Sequence, residues 1–100
     1  MTLSGLQKRH LRALAHHLKP VVHIGRAGVT DAALAEVEDA LRSHELIKVR
    51  LPGGDRAERE EWLATIESRT GAGTVSRVGH VATFYRPHPD EEKRRIRLPD

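Results

Sequence analysis

The stretch ELIKVRL, residues 45–51, alternates without a fault. Ile47, Val49 and Leu51 fall on one side; Leu46, Lys48 and Arg50 fall on the other. A period of two demands an extended strand with one apolar face to bury. Pro52, Gly53 and Gly54 end it. One such strand cannot bury its face alone, so the rest of the chain must supply sheet partners and a covering layer.

The partners are legible on either side. Residues 3–18 carry Leu11, Leu14, Ala15 and Leu18 at helical spacing, and Lys19-Pro20 predicts the stop. Val21 to Ile24 is a short β-branched run. Thr30 is placed to cap a second helix, with Val29 and Leu34 spaced as a hydrophobic staple. Asp55 and Glu58 resemble a capping box for a third helix that carries Trp62, Leu63 and Ile66 inward and stops at Gly71. Residues 74–78 and 81–85 flank Gly79-His80 as an antiparallel hairpin. The predicted fold class is α/β (α+β): one domain of order α-β-α-β-α-β-β with a four-stranded mixed sheet. The first two strands, joined by a helix, should be parallel. Strand alternation predicts helices on one face and an open second face bearing Lys48 and Arg50. The predicted domain covers 1–87. Residues 88–100, rich in proline and in Lys93-Arg94-Arg95-Ile96-Arg97, are expected to be a flexible basic tail.

Charge is distributed unevenly. Residues 1–30 hold five bases and no acid, residues 31–70 six bases against ten acids, and residues 71–100 six against four. A basic first third points to a polyanion. With no cysteine, disulfides and thiolate metal sites are excluded. No apolar run approaches a membrane span, so the reading is cytoplasmic with no membrane partner.

The β-branched run leads straight into Gly25-Arg26-Ala27-Gly28, and a helix start follows. That is neither GxxxxGK[ST] nor GxGxxG. Glycines let a phosphodiester approach the main chain, amides at a helix start favour an anion, and Arg26 offers a fork of donors to phosphate oxygens. A GxxG loop of this kind clamps the nucleic-acid backbone in KH domains. Lys8, Arg9, Arg12, Lys19, Lys48 and Arg50 are the candidate surrounding charges.

The segments LRALAHHLKPVVHIGRAGVTDAAL, HELIKVRL and VGHVATFYRP, from about Leu3 to Pro87, resemble the YhbY-type RNA-binding proteins. These are the stand-alone form of the CRM (chloroplast RNA splicing and ribosome maturation) domain. The resemblance implies a fold similar to the C-terminal domain of translation initiation factor three. It also implies RNA binding through the GxxG loop and association with the precursor of the large ribosomal subunit. Relatives usually carry lysine where Arg26 stands, and a residue that is often polar where Ala27 stands.

Other chemistry has little support. His16 and His17 point about 100° apart on a helix, and His10 lies two turns from His17, so no metal site is expected. No G-x-S-x-G, HExxH or cysteine nucleophile is present, so no enzyme, cofactor or small-molecule substrate is expected. Trp62, Phe84 and Tyr85 are the only aromatics. That is too few for a base-stacking platform and favours phosphate-dominated binding. The partner expected is ribosomal RNA, bound by a monomer. The alternative is a protein-interaction adaptor that uses the acidic region of the second and third helices.

Overall fold

The computed structural model describes all 100 residues. The elements are α1 (Gly5–Ala15), β1 (Pro20–His23), α2 (Asp31–His44), β2 (Leu46–Arg50), α3 (Arg56–Thr70), β3 (Gly73–Val78) and β4 (Val81–Tyr85), with a 3₁₀ turn at Glu91–Lys93. The order is the one the periodicities predict. The strands form one mixed sheet in the order β1-β2-β4-β3. The β1–β2 pair is parallel, and the other two pairs are antiparallel.

The helix starts are built as the capping residues dictate. Thr30 Oγ1 accepts from the Ala33 amide at 3.1 Å. Asp55 and Glu58 form a reciprocal capping box, with the Glu58 amide donating to Asp55 Oδ1 at 2.8 Å. Ser4 and Gln7 make a second box that opens α1. Gly71 closes α3 at φ 76°, a left-handed position that a side chain would resist. Helix α1 ends at Ala15, a turn before Lys19-Pro20.

The larger core lies between the sheet and helices α2 and α3. It joins Ile47, Val49 and Leu51 to Phe84, Val37, Leu41 and Ile66. Burying each such side chain is worth about 1.5–3 kcal/mol before ordering costs. The second sheet face differs from expectation. It is not left open: α1 packs there, and Leu11, Ala15, Leu46, Val75 and Tyr85 form a smaller core. Leu46 is the reason. It shares a face with Lys48 and Arg50, and its cross-strand partner is Tyr85, so that end of the face is apolar and needs a cover. Of the α1 stripe, Leu11 and Ala15 are buried, while Leu14 and Leu18 stay 40% and 37% exposed. Helices therefore cover both faces, with α1 over only one end of the second.

The segment after β4 also differs from the expected free tail. The Glu45 carboxylate, in a buried residue, accepts from the His88 amide at 2.9 Å and from the Arg95 amide at 2.7 Å. Ile96 and Leu98 pack against the smaller core. The Gln7 side-chain amide donates to the Pro99 carbonyl at 3.3 Å. The polar composition of 88–100 conceals two apolar anchors and an acceptor some fifty residues upstream.

Candidate nucleic-acid interface

The loop Gly25–Gly28 follows β1. The Ile24 amide donates to the Arg50 carbonyl at 2.9 Å, which fixes the loop to the end of β2. The Gly28 amide donates to the Gly25 carbonyl at 3.0 Å and closes a four-residue turn. Gly25, Arg26 and Ala27 are exposed. Their three amide protons find no acceptor within the chain. A turn with outward, unpaired N–H groups attracts anions.

The two glycines have different duties. A Cβ on Gly25 would meet nothing within 4 Å, and no left-handed φ constrains it. Gly28 is buried, holds φ 79°, and faces Trp62, whose Nε1 would lie 3.0 Å from an added Cβ. The same indole faces Gly54, where a Cβ would come within 2.8 Å of the ring. Trp62 thus props up the GxxG loop on one side and the loop before α3 on the other. The stripe of α3 predicts an inward tryptophan, and in the fold it is half-buried. Its contact with two glycine loops is a matter of tertiary packing that no local pattern shows.

Four of the candidate cations converge. Arg12, Lys19, Lys48 and Arg50 line a groove of about 450 Å³ on the half of the second sheet face that α1 leaves bare. His16, Ser76 and Thr83 join them, and no carboxylate does. The groove shares Arg50 with the base of the loop, since Arg50 and His23 are cross-strand partners. Lys8 and Arg9 stand outside the groove on the outer surface of α1. Lys8 continues the Arg12 stripe one turn up, and Arg9 is offset around the helix. His16, Ser76 and Thr83 were not among the candidate charges. The α1 stripe and the strand alternation are the signals that place them.

None of the candidate cations is engaged by a carboxylate, whereas four arginines elsewhere are. Arg42, Arg56, Arg69 and Arg86 each meet a carboxylate. Lys8, Arg9, Arg12, Lys19, Arg26, Lys48 and Arg50 meet none. Arg86 is the most enclosed pair: it contacts Glu38 through one guanidinium nitrogen and donates to the Thr70 carbonyl at 2.9 Å through another. The hydrogen bond that Arg86 donates to Glu38 holds that carboxyl below its ordinary range, against the opposing effect of burial. Acid-rich α2 and α3 lie on one side of the sheet, and the carboxylate-free groove of Arg12, Lys19, Lys48 and Arg50 lies on the other. The molecule is electrically two-sided, an arrangement that orients a domain toward a polyanion. No cluster of three or more histidine and carboxylate groups converges on a metal position.

The model of the CRS1/YhbY (CRM) domain matches residues 3–86. The chain belongs to that family. This CRM domain is 46% identical to an RNA-binding protein of Haemophilus influenzae, over 98% of this chain and 96% of the relative. It is 38% identical to "Probable RNA-binding protein PA4753" of Pseudomonas aeruginosa, over 93% of this chain and 89% of that protein. The solution structure of Staphylococcus aureus SAV1595 superimposes with a TM-score of 0.82 at 32% identity, covering 98% of this chain and all of the other. The CRM match ends at residue 86, so the docked segment 88–100 lies beyond it.

Proposed function

We propose that this CRM domain binds structured ribosomal RNA through its phosphate backbone, in the cytoplasm, during assembly of the large ribosomal subunit. One observation carries the reading. A turn with three free amides adjoins a groove lined by Arg12, Lys19, Lys48 and Arg50, none of which meets a carboxylate, and no carboxylate lines that groove. Unpaired bases retain their full attraction for phosphate. The names of the similar proteins point to RNA, and the resemblance to the YhbY type points to the large-subunit precursor.

In this reading the amides of Gly25, Arg26 and Ala27 donate to phosphate oxygens, and Arg26 adds a bidentate donor. Gly28 shapes the turn from behind. Arg12, Lys19, Lys48 and Arg50 hold the adjoining strand, and Lys8 and Arg9 contribute longer-range attraction. Sequence is read weakly, because Phe84 and Tyr85 are buried and Trp62 is spent on the loops. The test is affinity for large-subunit RNA transcripts across a salt series. Steep weakening with salt is expected, and Arg26→Ala should weaken binding at every salt concentration. Salt-independent binding, or an Arg26→Ala variant equal to the parent, would refute it.

A further inference from the structure

A second depression adjoins the basic groove. Its floor is aliphatic, made by Leu14, Leu18, Val21 and Ile96. Leu18, Lys19 and Lys48 belong to both depressions, so the two are continuous. Val21 lies on the sheet-edge strand and is 52% exposed. The far rim is Arg95, which the Glu45 clamp brings there from the C-terminal segment. Beyond Arg95 the surface continues to Lys93. No carboxylate lines the aliphatic depression. Glu45, in the pocket next to it, has both oxygens occupied by the amides of His88 and Arg95. The side chains of Lys93 and Arg95 pair with no carboxylate.

An aliphatic trough with bases on both rims matches one chemistry well. Single-stranded RNA presents apolar base faces and phosphates together, whereas a duplex hides the base faces in its stack. We propose that the docked C-terminal segment is a second arm of the RNA site. Its trough takes a single-stranded stretch that flanks the structured element, with bases on Leu14, Leu18, Val21 and Ile96. The phosphates lie on Lys19, Lys48, Arg95 and Lys93. The proposal rests on the RNA-binding reading above and adds a strand type and a location.

The experiment compares three RNAs: a structured ribosomal fragment, the same fragment with a single-stranded extension, and the same fragment with that extension paired. Affinity is measured across salt for the parent, for Lys93→Ala/Arg95→Ala and for Arg26→Ala. The clamp holds the Arg95 main chain, so truncating its side chain leaves the segment docked. The single-stranded extension should tighten binding by the parent, and the paired one should not. Losing Lys93 and Arg95 should abolish that gain and flatten the salt slope by about 1.4, at about 0.7 per single-strand phosphate. Arg26→Ala should weaken all three RNAs yet keep the gain. An extension without effect, or a gain that survives in the double variant, overturns this proposal alone. So would an acidic amphipathic peptide that shifts the Leu14, Leu18 and Val21 amides while the extension does not; the trough would then be a protein site. Failure of the parent to bind the unextended fragment would overturn both readings.

Discussion

Trp62 Nε1 lies 3.0 Å from the place a Cβ would take on Gly28, while the corresponding place on Gly25 is empty. The two glycines of one short motif are therefore separable by experiment. Gly28→Ala must strain a φ of 79° and displace the indole, at a cost of about 1–3 kcal/mol. Gly25→Asp should leave the melting temperature near that of the parent and weaken RNA binding, because it sets a carboxylate where a phosphate would sit. Thermal melts paired with RNA titrations check both expectations. A Gly25→Asp protein that binds RNA as the parent does would count against the loop's role.

Trp62 is half-buried, so Trp62→Ala should cost less than the ~3–5 kcal/mol of a fully buried aromatic. The loss should concentrate in the loops it supports. Amide exchange should rise around residues 25–29 and 53–55 and stay unchanged in β2 and β4. Uniform acceleration across the sheet would show that the indole is a general core residue instead.

Glu45 is the only non-glycine residue at positive φ, 64°. Four hydrogen bonds hold it there: its amide donates to the Leu41 carbonyl, its own carbonyl accepts from the Arg86 amide, and its carboxylate takes the two amides of the C-terminal segment. Glu45→Gly relieves the backbone strain and removes the clamp. Glu45→Ala removes the clamp and keeps the strain. Trypsin should cut within Lys93–Arg97 faster in both variants than in the parent, and only the alanine variant should also retain the strain penalty in its melting temperature. Equal cutting rates in all three proteins would mean that Ile96 and Leu98 alone hold the segment.

Stability should depend on pH at both ends. Glu38 is held below its ordinary value of 4.5, chiefly by the hydrogen bond from Arg86. A depressed carboxyl stabilises the fold above its unfolded pKa, and that contribution is lost as pH falls through the folded one. Acid unfolding should therefore steepen below about pH 4.5, and Glu38→Gln should blunt it. Tyr85 is raised above 10.0, mainly by burial and then by the Glu45 charge. A raised phenol stabilises below its unfolded pKa, so that contribution is lost as pH climbs past 10. Melts across pH for the parent, Glu38→Gln and Tyr85→Phe separate the two effects.

The element order was legible because each signal is local. Thr30, Asp55 and Gly71 mark helix ends within a few residues, and the alternation of 45–51 marks a strand without reference to anything distant. Two features escaped. One is the placement of α1 on the second sheet face, which turns on Leu46 meeting Tyr85 across the sheet, 39 positions apart in the chain. The other is the docked segment 88–100, held through main-chain amides that any sequence possesses. Within the candidate site, charge shows which cations to consider, but only the fold shows that four of them converge on one groove with no carboxylate. It also shows that Gly28 faces inward.

The account stands or falls on whether bare main chain at the β1–α2 turn takes hold of phosphate. An amide-resolved NMR titration with a large-subunit RNA fragment measures that directly. Resonances of Gly25, Arg26 and Ala27 should shift first and furthest, followed by those of Lys19, Lys48 and Arg50, with all shifts reversed by added salt. If RNA binds and shifts other parts of the chain while those three amides stay fixed, the loop is only a turn.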